Sequence, residues 1–89
     1  LHAPAPNPLV GVATLRLDVA REIDASVAVF DLSGRRVATL RQGTFTPGRS
    51  TLAWDGRGAN GSPVGSGMYF VRFSAPGSPT QVARLAVVR

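Results

Sequence analysis

The feature that most constrains the fold of this chain is the stretch from 54 to 73, WDGRGANGSPVGSGMYFVRF. A tryptophan ends a short apolar run, and the glycine-rich segment after it contains the pairs Asp55-Gly56 and Asn60-Gly61. Glycine and proline are the poorest residues in a helix interior, whereas Asp-Gly and Asn-Gly supply the positive φ angles that tight turns need. The stretch therefore predicts a strand ending at Trp54, an elaborate turn, and a second strand that begins at Met68.

Alternation of apolar and polar residues predicts strands elsewhere in the chain. Between 13 and 19, apolar residues alternate with Thr14, Arg16 and Asp18, as in an antiparallel strand with one buried face. Turn signals recur every 8–12 residues or so, which is typical of sandwiches and barrels, and no segment has helical spacing. The sequence predicts an all-β fold with strands at 13–19, 25–31, 35–41, 49–54, 68–75 and 81–89, and with 9–12 as a further short segment.

Two connections carry specific turn signals. The segment from Asp31 to Gly34 predicts a hairpin turn in which Gly34 adopts a positive φ. The segment 43–48 predicts a loop, in which Pro47-Gly48 favours a type II turn.

Two further features concern the segments before and after the hairpin turn at Asp31. The segment 21–24 is mostly charged and predicts a polar connection. In the strand after the hairpin, Val37 and Leu40 break strict alternation, which predicts a β-bulge or a twist near Ala38.

The sequence predicts one domain, preceded by a short linker. Its 89 residues are enough for one modest core. Residues 1–8, LHAPAPNP, have proline at every second position from Pro4, which predicts an extended Pro/Ala-rich linker. The domain is then expected at 9–89. The chain starts at Leu1 and not at methionine, which indicates a piece excised from a longer protein.

The chain is basic, and its basic residues are scattered along the sequence. The formal net charge is +5, lysine is absent, and only Arg35 and Arg36 are adjacent among the ten arginines. Scattered arginines favour solvated strand faces over a nucleic-acid interface, so no nucleic-acid partner is predicted. Cysteine is absent, which excludes disulfides and thiolate metal sites.

Catalytic residue types are scarce. His2 is the only histidine and lies in the predicted linker, so a serine or cysteine nucleophile would lack a base. Asp31 and Asp55 each end a predicted strand, where aspartate commonly caps its own backbone. Asp55 and Asn60 offer too few oxygens for calcium. The sequence predicts no enzyme, no metal site and no cofactor.

The aromatic residues suggest either a core or a binding surface. Trp54, Tyr69 and Phe70 are candidates for a glycan platform, but Trp54 and Tyr69 share the inward pattern of their strands, which favours core packing. Phe45 and Phe70 are candidates for a small exposed apolar patch where a partner docks. A carbohydrate-binding module therefore remains an alternative.

The order of motifs is similar to that of a known family. The chain resembles the immunoglobulin-like domain of flagellar hook-capping proteins, a family that includes the type A C-terminal sorting domains of proteins exported by the type IX secretion system. The resemblance covers Pro6 to Arg89. Leu9 stands where the family often has phenylalanine, and Ala83-Arg84 opens the closing motif in place of lysine. The residues that match the family motif include Asp31, Gly34, Trp54, Asp55, Gly56, Gly61, Gly67 and Tyr69.

The resemblance implies an immunoglobulin-like antiparallel sandwich of about seven strands. It also implies a non-catalytic module at the C-terminus of a larger secreted protein, which is often a hydrolase. It implies recognition by a secretion translocon or by cell-surface components, with the module acting as a monomer attached to a catalytic domain. Other readings are a carbohydrate-binding module and a self-associating assembly domain. The residues expected to be recognised belong to the last strand: Arg84 and Arg89 for charge, and Leu85, Val87 and Val88 for apolar contact.

Overall fold

A computed structural model describes residues 13–88 as an all-β protein. The predicted linker at 1–8, the short segment at 9–12 and Arg89 lie outside the described residues. The described part contains six strands: β1 (Ala13–Val19), β2 (Ile23–Asp31), β3 (Arg36–Phe45), β4 (Gly48–Trp54), β5 (Gly67–Ser74) and β6 (Gln81–Val87). Within residues 13–88, no helix is long and apolar enough to cross a membrane.

The strands form two antiparallel sheets. β1 pairs with β4, and the other four strands lie in the order β3-β2-β5-β6. The hairpins β2–β3 and β5–β6 join strands that are consecutive in the chain, while β3 and β4 are consecutive but belong to different sheets. The turn at Thr46 and Pro47 therefore carries the chain from one sheet to the other, as sandwiches require.

The core lies between the sheets and follows the alternation in the sequence. In β1 every second residue from Ala13 to Val19 is buried, and in β5 Tyr69, Val71 and Phe73 are buried while Arg72 between them is exposed. Period-two burial is what one buried sheet face produces. The largest side chains with almost no exposure are Phe45, Leu15, Leu85, Val27, Val29 and Val71.

Two segments predicted as connections are part of strands instead. Ile23 and Asp24 begin β2, and Gly43 to Phe45 end β3, because the ladder continues through the pairs Ile23–Phe45 and Asp24–Thr44. The Thr44 hydroxyl donates to Asp24 Oδ1 at 2.7 Å. Phe45, a candidate for an exposed apolar patch, belongs to the core instead: its ring is fully buried and lies edge-on to Phe73, with centroids 5.9 Å apart. The extended hairpin turns Phe45 into the core.

The bulge predicted near Ala38 is confirmed. The pairing of β2 with β3 shifts register twice, so that Leu40 and Val37 are the residues without a direct partner in the ladder. Both side chains are half-buried and pack against the core, and Ala38 between them is buried. A bulge lets residues three apart face the same side, which explains the broken alternation.

Candidate functional site

The glycine-rich turn between β4 and β5 is held at both ends by buried aromatic side chains. Trp54 is 2% exposed, and its indole Nε1 donates to the carbonyl oxygen of Arg57 at 2.9 Å. The Tyr69 hydroxyl donates to the carbonyl oxygen of Gly65 at 2.8 Å, and the two rings meet edge to face with centroids 5.7 Å apart. The predicted core role of both rings is confirmed, and neither is available as a platform for a sugar ring.

The polar side chains of this turn are used by its own backbone. Asp55 Oδ1 accepts from the Arg57 amide at 3.1 Å, and Asn60 Oδ1 accepts from the Ser62 amide at 3.0 Å. The Arg57 guanidinium donates to the Gly61 carbonyl at 2.9 Å. Gly56 is buried with a φ of 76°, a conformation that favours glycine; Gly61 and Gly67 also have positive φ values, of 83° and 155°. The side-chain oxygens of Asp55 and Asn60 therefore stabilise the turn itself, because they accept hydrogen bonds from its backbone amides.

The hairpin turn between β2 and β3 is organised by one carboxylate oxygen. Asp31 Oδ1 accepts from the Ser33 hydroxyl at 2.7 Å and from the amides of Ser33 and Arg35, each at 3.0 Å. Gly34 has the predicted positive φ, 86°, and its amide donates to the Asp31 carbonyl. The hydroxyl of Ser33, with smaller contributions from the two amides and from the Arg35 charge, lowers the pKa of Asp31 below its ordinary value of 3.8.

This shift gives a pH prediction. Because folding lowers the pKa of Asp31, the stability that its charged form contributes is present above pH 3.8 and is lost as the pH falls through the lower, folded value. Asp31→Asn should lower the midpoint of urea unfolding at neutral pH, and the difference from the unmodified chain should shrink below pH 3.8. Glu22→Gln controls for the loss of one negative charge. A difference that is constant across the pH range would contradict the role of Asp31.

The last strand, β6, divides its side chains between the core and the surface. Leu85 and Val87 are 0% and 2% exposed and pair with Tyr69 and Gly67 of β5. Arg84 and Val88 are exposed. A partner that meets the folded domain can contact Arg84 and Val88 directly, while Leu85 and Val87 hold the strand in place. The recognition role of these residues stays a prediction, and Arg89 lies outside the described residues.

The solvent-facing side of the four-stranded sheet carries aromatic and basic residues in adjacent rows. Cross-strand partners in an antiparallel ladder lie on the same face. One row reads Arg36–Phe30–Phe70–Arg84, and the next reads Thr39–Ala28–Arg72–Val82. These two rows are named here the outer face. Sequence alternation in β5 places Phe70 and Arg72 on this side, but it did not reveal the rows, because their neighbours come from other strands.

An open groove of about 690 Å³ lies between β3, the end of β4 and the glycine-rich turn. Asp55 is the carboxylate that lines it, together with Arg57 and small or apolar residues. Residues 13–88 contain no group of three or more His, Cys, Asp or Glu residues placed to hold a metal ion.

Comparison with known proteins gives the same architecture. A solved structure of PorZ, described as an essential bacterial surface component of the type-IX secretion system of Porphyromonas gingivalis, matches 97% of this chain with 28% identity and a TM-score of 0.68. Dimeric latent PorU from Porphyromonas gingivalis matches 96% with 24% identity and a TM-score of 0.71, which shows the fold. The chain spans 11% and 9% of the length of these two proteins.

The sequence comparisons differ in outcome. No curated protein matches the chain. The model of the FlgD Ig-like domain matches residues 9–78, which is well over half of the chain and includes the hairpin at Asp31, the bulged strand β3 and the whole glycine-rich turn. The fold described above, two antiparallel sheets packed around one core, is what such a domain requires. The chain therefore belongs to the FlgD Ig-like domain family.

Proposed function

We propose that this domain is a non-catalytic C-terminal module of a larger secreted bacterial protein, and that it acts in type IX secretion sorting and cell-surface attachment. The observation that carries the proposal is the likeness to PorZ, a surface component of that secretion system, over 97% of the chain. In this proposal the module is located outside the cell or on its surface. Its partners are the secretion translocon or surface components, together with a catalytic domain in the same parent protein.

The division of β6 between core and surface supports a recognition role for its outward side chains. Leu85 and Val87 are anchored in the core, so the strand is held rigid before it meets a receptor. A preorganised surface loses less conformational entropy on binding than a flexible tail. Arg84 and Val88 would then supply a charged contact and an apolar contact from one face, with Arg89 adding charge. The module acts as a monomer in this proposal.

The test is export of a carrier protein fused to the module in a bacterium that has a type IX system. Removing all of 83–89 is a poor test, because it takes Leu85 and Val87 out of the core and is expected to unfold the domain. The better variants are a chain that ends at Val87, and Arg84→Gln combined with Val88→Ser. Both leave the buried side chains in place.

Arg16→Gln is the matched control, because Arg16 is exposed on β1 in the other sheet. We expect the two β6 variants to retain the carrier inside the cell or to lose it from the surface, while the control is exported like the unmodified fusion. The variants' thermal unfolding should match that of the unmodified domain. Equal export and equal attachment of all fusions would overturn the proposed recognition by the last strand.

A further inference from the structure

The outer face combines a shallow apolar depression with exposed arginines. The depression has a volume of about 240 Å³, and its lining includes Phe30, Phe70, Val82 and Leu32. The guanidinium carbon of Arg72 lies 4.0 Å from the centroid of the Phe30 ring. Leu32, Val82 and Arg72 on this face are exposed, so apolar and positively charged surface lie side by side.

Arg72 is held over an aromatic ring on the exposed side of the sheet. Its guanidinium carbon lies over the Phe30 ring, and this cation–π interaction restrains the side chain. A cation–π contact uses none of the N–H donors in a hydrogen bond, and the planar fork of these donors fits a carboxylate in bidentate geometry. Among residues 13–88 these donors make no hydrogen bond and no ion pair. Because the orientation is set in advance, less rotamer entropy is lost when an anion binds.

A second arginine flanks the same ring from the opposite side. Arg36 on β3 is the cross-strand partner of Phe30, and Arg72 lies on β5, the other neighbour of β2. The two arginines are therefore two strand spacings apart across the sheet and one row apart along it, roughly 12 Å between Cα atoms. Neither row of the outer face contains a carboxylate. Asp31 lines the rim of the depression, but its Oδ1 already accepts three hydrogen bonds in the hairpin turn.

We propose that the outer face is a docking surface for an acidic protein segment that also carries apolar side chains. Carboxylates of that segment pair with Arg72 and Arg36, and its apolar side chains fill the depression beside Phe70. A second copy of this domain would bring arginines against arginines. The Phe30 ring is covered by Arg72, so it is not open to the base stacking that single-stranded nucleic acids use. The inference does not depend on the proposed secretion role.

The test uses the full chain and a fluorescein-labelled peptide in which glutamate alternates with leucine, with affinity measured by fluorescence anisotropy. Two comparison peptides replace either the glutamates by glutamine or the leucines by serine, and labelled oligothymidylate represents nucleic acid. Arg72→Gln should weaken peptide binding about tenfold or more, since a hydrogen bond to a charged group is lost. Arg16→Gln removes the same charge from the other sheet and should change affinity less than about twofold. Amide shifts in an NMR titration should concentrate at Phe30, Phe70 and Arg72.

Several outcomes would overturn the inference. These are no binding of the glutamate–leucine peptide, equal losses with Arg72→Gln and Arg16→Gln, or binding that is equally tight for the serine peptide or for oligothymidylate. Equally tight binding of the serine peptide or of oligothymidylate would mean that net charge alone attracts the ligand. Arg72→Lys keeps the charge but lacks the planar fork, so it should bind more weakly than the unmodified chain. Thermal unfolding of each variant separates a lost contact from a lost fold.

Discussion

Trp54→Ala is expected to lower the free energy of unfolding by about 3–5 kcal/mol, the usual cost of removing a large buried aromatic side chain. The substitution empties the space beside Tyr69, removes an edge-to-face ring contact, and leaves the Arg57 carbonyl without its indole donor. Single domains have about 5–15 kcal/mol of stability in total. The loss is therefore a large share of the domain's stability, and the midpoint of urea unfolding should fall markedly.

Urea unfolding followed by far-UV circular dichroism checks this prediction, since Trp54 is the only tryptophan and its fluorescence is lost with it. Trp54→Phe is the matched variant, because it keeps an aromatic ring in the core and removes the indole N–H. It should be less destabilised than Trp54→Ala. A cost below about 1 kcal/mol for Trp54→Ala would be typical of a surface substitution and would contradict the packing described here.

Phe45→Ala is expected to cost a similar amount, about 3–5 kcal/mol. The ring is fully buried and lies edge-on to Phe73, and the guanidinium carbon of Arg41 is 4.4 Å from its centroid. Because Phe45 ends β3 just before the chain crosses to the other sheet, its loss also weakens the point where the two sheets are joined.

Equilibrium urea unfolding again provides the measurement, with two comparison variants. Phe45→Leu keeps most of the buried apolar volume but loses the cation–π contact, which is worth about 0.5–1 kcal/mol at accessible sites. Leu32→Ala removes an apolar side chain that is 71% exposed, and it should change stability by less than about 0.5 kcal/mol. If Phe45→Ala and Leu32→Ala are equally mild, the ring is not part of the core.

The two predictions differ in how much of them the sequence alone supports. Trp54 is the last residue of an alternating strand, so its burial could be predicted from its own segment. Phe45 lies between glycine and proline in a segment with turn signals, and that segment predicted a loop. Its burial depends on the ladder with Ile23 and Asp24, two residues that lie far from it in the sequence. A local pattern carries no information about that pairing.

The sequence by itself determined the all-β class, the inward and outward sides of β1 and β5, and the turns at Asp31 and at the glycine-rich segment. Side-chain alternation and turn preference act over a few residues, which is why they can be read locally. Only the tertiary structure decided that β3 and β4 belong to different sheets, and that the Arg72 guanidinium lies over the Phe30 ring. Both depend on which strands become neighbours, because residues distant in the chain then share one face.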